Sequence, residues 1–335
     1  VNFGVHATKT KSMIKWGIVG AGNIAHSFSK DLALVSGGEL VSVASRSLEK
    51  AKDFANEYGA PNAYGSYEEL FNSNTVDVIY LATPHTSHAD LSITAMKAGN
   101  AVLCEKPMGV NKSEVEQMVA VAKENNVFLM EALWSRFNPT IKKVKEQVDN
   151  GAIGEIGYLH ADFAFYALDR DVNGRLLNPD LAGGSLLDIG IYPIFLAYLM
   201  LGKPKDIKAA ANFFETGVEV QCSMIFNYDN AQAILYSGLN SNSEKKAEIA
   251  GSEGTIFIHP RWHETTGYTL EKDGESTANE IGKMGKGYVH EIEEVHDCLN
   301  SGKKESDLWS HQNSLDLIEI MDSVRKKTGI VFPFE

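Results

Sequence analysis

From Ile14 onward, short apolar runs alternate with stretches whose apolar residues recur at helical spacing. Lys15–Val19 reads as a strand and Ile24–Leu34 as a helix. Leu40–Ser45 is a second strand, and the helix Leu48–Tyr58 gathers Ala51, Phe54, Ala55 and Tyr58 on one face. After a brief strand at Ala63–Tyr64 and a short helix at Tyr67–Phe71, Val76–Ala82 is apolar throughout, as in a parallel strand covered on both faces. The helix Ala89–Ala98 stops at Gly99; Ala101–Cys104 is a strand, Ser113–Asn125 a helix and Val127–Glu131 a strand. Such alternation predicts right-handed βαβ units and a doubly wound parallel sheet of the Rossmann type.

The rhythm changes after residue 135. Thr140–Asn150 and Leu186–Leu201 read as helices. Gly157–Ala164, Ile207–Phe214, Glu219–Tyr228, Ala231–Leu239, Lys246–Ala250 and Gly254–Ile258 read as strands with few helices between them. Val218, Val220, Cys222, Met224 and Phe226 share one face, which implies a half-covered, mostly antiparallel sheet. Helices return at Val289–Ser301 and Gln312–Lys327. The expected organisation is α/β: a tag or disordered leader at 1–12, a dinucleotide-binding Rossmann domain at 13–135, and an α+β substrate and dimerisation domain at 136–335.

Composition narrows the function class. The 335 residues exceed the ~150 that serve as a one-domain prior. A formal charge of -13 argues against a nucleic-acid partner, since phosphate backbones require concentrated Lys and Arg. Apolar runs such as Val78–Ala82 are far shorter than the ~20 residues that span a bilayer. Cys104, Cys222 and Cys298 are odd in number and far apart, so neither a disulfide framework nor a metal pattern is drawn, and a reduced, cytoplasmic protein is expected.

Gly20-Ala21-Gly22-Asn23-Ile24-Ala25 ends the first strand and opens the first helix, the context in which G-x-G-x-x-A binds a dinucleotide. Gly20 permits the tight turn, Gly22 lets backbone approach a pyrophosphate, and Asn23 and Ile24 begin a helix whose free N–H groups face that anion. A strand–helix turn without a ligand is the plain alternative. At the end of the second strand, where an NAD site carries Asp or Glu, stand Ser45, Arg46 and, one turn on, Lys50. A hydroxyl and two cations suit a 2′-phosphate, so NADP is expected, with NAD possible should Arg46 be only a solvated loop residue. Thr83, Pro84, His85 and His88 follow the Val76–Ala82 strand and are placed along the nicotinamide pocket. His85 and His88 are three apart, but no third ligand is placed, and no metal is expected.

Glu105-Lys106-Pro107 leaves a buried strand at the carboxyl end of the sheet, where ligands of open α/β folds bind. A lysine in that position is unusual unless paired; Glu105 and the turn-fixing Pro107, whose peptide bond is a candidate for the cis form, would hold its direction. An ordinary surface Glu-Lys turn is the alternative.

These motifs, with Ala82-Thr83-Pro84 and the run Gly183-Gly184-Ser185-Leu186-Leu187-Asp188-Ile189-Gly190-Ile191-Tyr192, resemble the Gfo/Idh/MocA oxidoreductase family from about Met13 to the C-terminus. The run Met130–Pro139, with Tyr192 where many members carry His, resembles the branch containing dimeric dihydrodiol dehydrogenases and glucose–fructose oxidoreductase. The resemblance implies that Lys106 is catalytic, that a large open sheet forms the second domain, and that its exposed face makes a homodimer. Asp188 and Tyr192, four apart on an expected helix, would share one face. Tyr192 would move the proton of a substrate hydroxyl, Lys106 would lower its pKa, and Asp188 would orient a carbohydrate-like substrate; Lys106 as proton donor with Tyr192 orienting is equally consistent. Trp134 and Arg136, with Phe137, begin the crossing to the second domain and are placed at the substrate pocket, as are Phe165 and its neighbours Phe163 and Tyr166. His290, Glu291 and His296 are expected on a solvated or interfacial helix face. The expected activity is NADP-dependent hydride transfer at a hydroxyl or carbonyl carbon of a sugar, polyol or cyclic diol. The alternatives are a dinucleotide-binding sensor or scaffold without turnover and an oxidoreductase with tightly held, recycled cofactor.

Overall fold

The computed structural model describes residues 13–335; the leader expected at 1–12 lies outside the described residues. Strands β1 (Ile14–Val19), β2 (Gly38–Ala44), β3 (Asn62–Tyr64), β4 (Val78–Leu81), β5 (Ala101–Glu105) and β6 (Leu129–Ala132) form one parallel sheet in the order β3-β2-β1-β4-β5-β6. Every residue of β4, β5 and β6 is buried, as two-sided coverage requires. The connecting helices are α1 (Asn23–Leu32), α2 (Leu48–Tyr58), α3 (Tyr67–Phe71), α4 (His88–Lys97) and α5 (Lys112–Glu124). Ser47, Ser66 and Asn111 fix the starts of α2, α3 and α5 by accepting N–H bonds from their first turns. Chain order reverses between β1 and β4, so the loops after these strands bound the crevice where such sheets bind ligands.

Helix α6 (Pro139–Asp149) leads to the second sheet, built from β7 (Ile156–Ala164), β8 (Asp206–Phe213), β9 (Glu219–Asn227), β10 (Gln232–Gly238), β11 (Ala247–Gly251), β12 (Gly254–Ile258), β13 (Gly267–Lys272) and β14 (Glu275–Glu280). The order is β14-β13-β12-β11-β7-β10-β9-β8, antiparallel except for β7 against β10. Val220, Cys222, Met224 and Phe226 are buried as their alternation predicted, while Ser223 and Ile225 face outward. Hairpin β13–β14 was not anticipated: β14 is a nearly fully exposed polar edge strand, so no apolar alternation marks it.

One helix was expected over Leu186–Leu201. The chain instead makes a π-turn at Leu186–Gly190 followed by α7 (Ile191–Leu201), whose residues Ile191–Ala197 are all buried. The stretch Pro179–Leu201 is apolar and long enough to cross a bilayer by composition, longer than the runs such as Val78–Ala82, but 78% of its most apolar window is buried in this fold. Helices α8 (Val289–Asn300) and α9 (His311–Thr328) return to the first sheet's layer, α8 against α1 and α9 against α5 and α7. The expectation of a solvated α8 face is corrected: Glu291 and His296 are buried, and Trp16 Nε1 donates to His296 Nε2 at 2.9 Å. The halves are also tied at Asp31 of α1, whose carboxylate accepts the N–H groups of Lys286 (2.8 Å), Gly287 (2.9 Å) and Tyr288 (2.8 Å).

Candidate active site

At the end of β1, Gly20 has φ +97° and a Cβ there would lie 2.7 Å from the Ala82 carbonyl oxygen, so the turn admits no side chain. Gly22 is the N-cap of α1 and supplies no side-chain bond; a Cβ built on it meets nothing within 4 Å. The start of α1 therefore carries no side-chain cap on its first amides and leaves room beside Gly22, which with the positive dipole end fits a dinucleotide pyrophosphate. Ser45 is buried at the end of β2, Arg46 and Lys50 are exposed, and the Arg46 guanidinium sits against the Tyr67 hydroxyl.

Thr83 and Pro84 follow β4, and His85–Ser87 form a 3₁₀ turn. His88 is fully buried, with Nδ1 2.8 Å from the Pro107 carbonyl and Nε2 2.9 Å from the Thr83 carbonyl, so it ties the loop after β4 to the loop after β5. Burial, then the neighbouring His88 and Lys106, holds His85 well below the usual imidazole pKa, so it is neutral. Among the described residues no group of three or more His, Cys, Asp or Glu is placed to hold a metal.

Glu105 is buried; its carboxylate takes hydrogen bonds from the Tyr80 hydroxyl and, at 3.2 Å, the Lys106 N–H, and the Lys106–Pro107 bond is cis. The Lys106 side chain reaches across to the π-turn. Its Nζ donates to the Asp188 backbone oxygen at 2.5 Å and lies 3.4 Å from Asp188 Oδ1. Arg175 Nη1 reaches the same Oδ1 at 2.7 Å. Burial alone would raise the Asp188 carboxyl, but Lys106 and Arg175 outweigh it and hold the group well below the usual range.

Tyr192 also reaches Lys106, though not as expected. Nζ lies 5.1 Å from the ring centroid, over the face, while the hydroxyl accepts a 2.7 Å bond from Trp134 Nε1. Burial pushes the phenol well above its ordinary pKa, against the pull of the Trp134 bond, so the lowering anticipated from Lys106 is not what this geometry provides.

Trp134 stacks on Tyr288 (centroids 4.8 Å, 13°), and Phe163 stacks on His263 (4.1 Å, 23°), with Tyr192 5.5 Å from both Phe163 and His263. Of the other pocket residues expected, Arg136 turns away, its Nε donating to the Leu308 carbonyl at 2.9 Å, while Phe165 lies 6.3 Å from Phe163 under Arg170 and Tyr166 is exposed. Arg175, His263 and Tyr288 were not singled out in the sequence. All three sit in the stretches 167–181 and 261–288, which lack an apolar period; the one available signal for Arg175 was its closeness to the Gly183-Gly184 turn.

The fold and site can be set beside known proteins. A family profile described as an oxidoreductase family with an NAD-binding Rossmann fold matches residues 14–133, and the C-terminal-domain profile of the same family matches residues 141–257. The chain is similar to trans-1,2-dihydrobenzene-1,2-diol dehydrogenase of Mus musculus, 38% identical over 333 residues, 96% of this chain and 98% of that one. It is similar to the scyllo-inositol 2-dehydrogenase (NADP(+)) IolU of Bacillus subtilis (strain 168), 34% identical over 326 residues, 96% of this chain and 99% of that one. Among solved structures, KijD10, a 3-ketoreductase from Actinomadura kijaniata in complex with NADP and TDP-benzene, superposes with a TM-score of 0.84 at 26% identity, covering 94% of this chain and 98% of that one. An aldose-aldose oxidoreductase from Caulobacter crescentus shares the fold, with a TM-score of 0.87 at 23% identity over 94% and 97% of the two chains.

Proposed function

Because the chain belongs to the Gfo/Idh/MocA family of oxidoreductases, we propose that it is an NADP-dependent dehydrogenase of a vicinal diol, polyol or sugar. The observation that carries this reading is the convergence of Lys106, Asp188 and Tyr192 at the carboxyl end of the first sheet, the edge from which α1 also starts without a side-chain cap. Gly20, Gly22, Asn23 and Ile24 hold the pyrophosphate, Ser45, Arg46 and Lys50 the 2′-phosphate, and Thr83, Pro84, His85, His88 and Glu105 border the nicotinamide. When bound, the dinucleotide supplies or accepts the hydride; the chain's own residues handle the substrate oxygen.

Lys106 is the group that moves the proton. Its ammonium donates to the substrate oxygen in reduction, and in oxidation the free amine takes the hydroxyl proton. Tyr192 orients: its oxygen accepts from Trp134, which leaves its O–H free to donate to the substrate. Asp188, kept ionised by Lys106 and Arg175, accepts a hydrogen bond from a substrate hydroxyl and favours a polyhydroxylated ligand. Trp134 and Phe163 line the pocket. Names of the relatives with a diol and an inositol support this class.

In this reading residues 13–135 carry the nucleotide site and 136–335 the substrate site, although α8 and α9 of the latter pack back on α1 and α5 of the former. The outer face of the second sheet exposes Ile225 and Ile234, paired across β9 and β10, and a second copy of the chain covers it. A cytoplasmic location is part of this reading, supported by three cysteines that are free and buried. The test of the activity is Lys106→Met assayed with NADP⁺ over trans-diols, inositols and aldoses. Turnover falls by about 10³-fold or more while NADPH affinity stays within about threefold; retained turnover would sink the assignment.

A further inference from the structure

The π-turn that presents Asp188 is not held by helix propensity alone. It is preceded by Gly184, with φ +125°, where a Cβ would lie 2.3 Å from Glu219 Oε2 and 3.1 Å from the Glu219 carbonyl oxygen. Glu219 Oε1 accepts from the Ser185 hydroxyl and, at 2.9 Å, from the Leu186 N–H. Ser185 Oγ is also 2.8 Å from Ser237 Oγ of β10. At the other end of the turn, a Cβ on Gly190 would lie 2.9 Å from that same Ser237 hydroxyl.

Glu219 reaches this position through a break in strand register. Asn212 of β8 pairs with Gln221, whereas the next residue, Phe213, pairs with Glu219, so Val220 is the extra residue of a bulge. Alternation would put Glu219 on the outer face with Gln221 and Ser223; the bulge lets Glu219 and Val220 both be buried. A carboxyl has been turned from solvent into the interior to meet one turn, and that turn carries the Asp188 oxygens that receive Lys106 Nζ.

We propose that Glu219 is a positioning residue for hydride transfer: its carboxyl caps the Ser185–Gly190 turn and so fixes Asp188 against Lys106. This rests on the reading of Lys106 and Asp188 as the reacting centre. Burial pushes the Glu219 carboxyl up to about 8, so near neutrality it caps as an uncharged acid, for which glutamine is a close substitute.

The test uses Glu219→Ala and Glu219→Gln in the whole 335-residue chain, with two readouts. One is steady-state turnover; the other is the rate at which trinitrobenzenesulfonate labels Lys106, followed by mass spectrometry with the remaining lysines as internal standard. Glu219→Ala is expected to lower kcat about 30-fold with little change in KM for NADP⁺, and to label Lys106 several-fold faster; Glu219→Gln is expected to restore both to within about threefold. If Glu219→Ala does not fold, Ser185→Ala removes one donor and is expected to lower kcat about fivefold. A folded Glu219→Ala with wild-type kcat and labelling overturns the proposal, as does a Glu219→Gln that falls as far as alanine, or a folded Ser185→Ala with wild-type kcat when alanine at 219 cannot be made. Wild-type protein that turns over no substrate, with Lys106 labelling still accelerated in Glu219→Ala, removes the functional reading and leaves the positioning role standing.

Discussion

Trp134 Nε1 donates to the Tyr192 hydroxyl at 2.7 Å, and this bond joins the crossing between the two sheets to the helix that faces Lys106. It sets where the Tyr192 oxygen points and which of its hydrogen-bonding sites remains for a substrate. Trp134→Phe keeps an aromatic face for Tyr288 and deletes only the N–H. The expected outcome is a loss of about 10-fold in kcat/KM for the diol, corresponding to about one neutral hydrogen bond, with NADPH affinity unchanged. Steady-state kinetics and cofactor titration check it.

Arg175 shares Asp188 Oδ1 with Lys106 while its own side chain is 56% exposed. Arg175→Gln removes the cation nearer to the Asp188 carboxylate, 2.7 Å from Oδ1 against 3.4 Å for Lys106, and should raise KM for a polyol about 10-fold with a smaller effect on kcat, because Lys106 still faces the carboxylate. An unchanged KM would mean that the Arg175–Asp188 pair does not face substrate.

Arg46 is exposed at the end of β2 and steadied by Tyr67. Arg46→Asp replaces a phosphate-binding guanidinium with a carboxylate that suits a free 2′-hydroxyl. The NADP⁺ to NAD⁺ ratio of kcat/KM is expected to drop by about 100-fold or more. A ratio that does not move would show that the 2′-phosphate is read elsewhere.

The Glu219 carboxyl titrates near 4.5 when exposed and is pushed up to about 8 by burial. The unfolded chain therefore releases this proton first as pH rises, so the contribution to stability is complete below about pH 4.5 and is lost progressively up to about pH 8, on the order of a few kcal/mol. Glu219→Gln cannot titrate. Its melting temperature relative to wild type should rise as pH is increased from 5 to 8, as read by thermal unfolding; a difference constant in pH would contradict the buried acid.

Much of the fold was legible because its elements follow a period. Buried parallel strands such as Val78–Leu81 are apolar without interruption, and β9 alternates between Val220 and Phe226. Lys106, Asp188 and Tyr192 were marked by motif, and the structure brings all three together. What escaped notice lacks a one-dimensional signature. Arg175 and His263 are carried by aperiodic loops, β14 is polar on both faces, and Glu219 is buried by a bulge that depends on its pairing with β8. The angle between Lys106 and the phenol of Tyr192 was likewise decided by Trp134, fifty-eight positions away in the chain.

Asp31 gives the architecture a further property. By gathering three amides of Lys286–Tyr288, it makes the ring that stacks on Trp134 ride on the helix that opens at the glycine turn. Tyr288 in turn backs Trp134 and edges Phe28, and α8 lays His296 against Trp16. The first sheet with its helices is consequently no transferable cassette. Excised at Ala132, it would carry an Asp31 acceptor stripped of its donors and bare the flanks of Trp16 and Phe28, both of which are fully buried in the whole chain. An engineer wishing to move the nucleotide site onto another scaffold would have to bring α8 along.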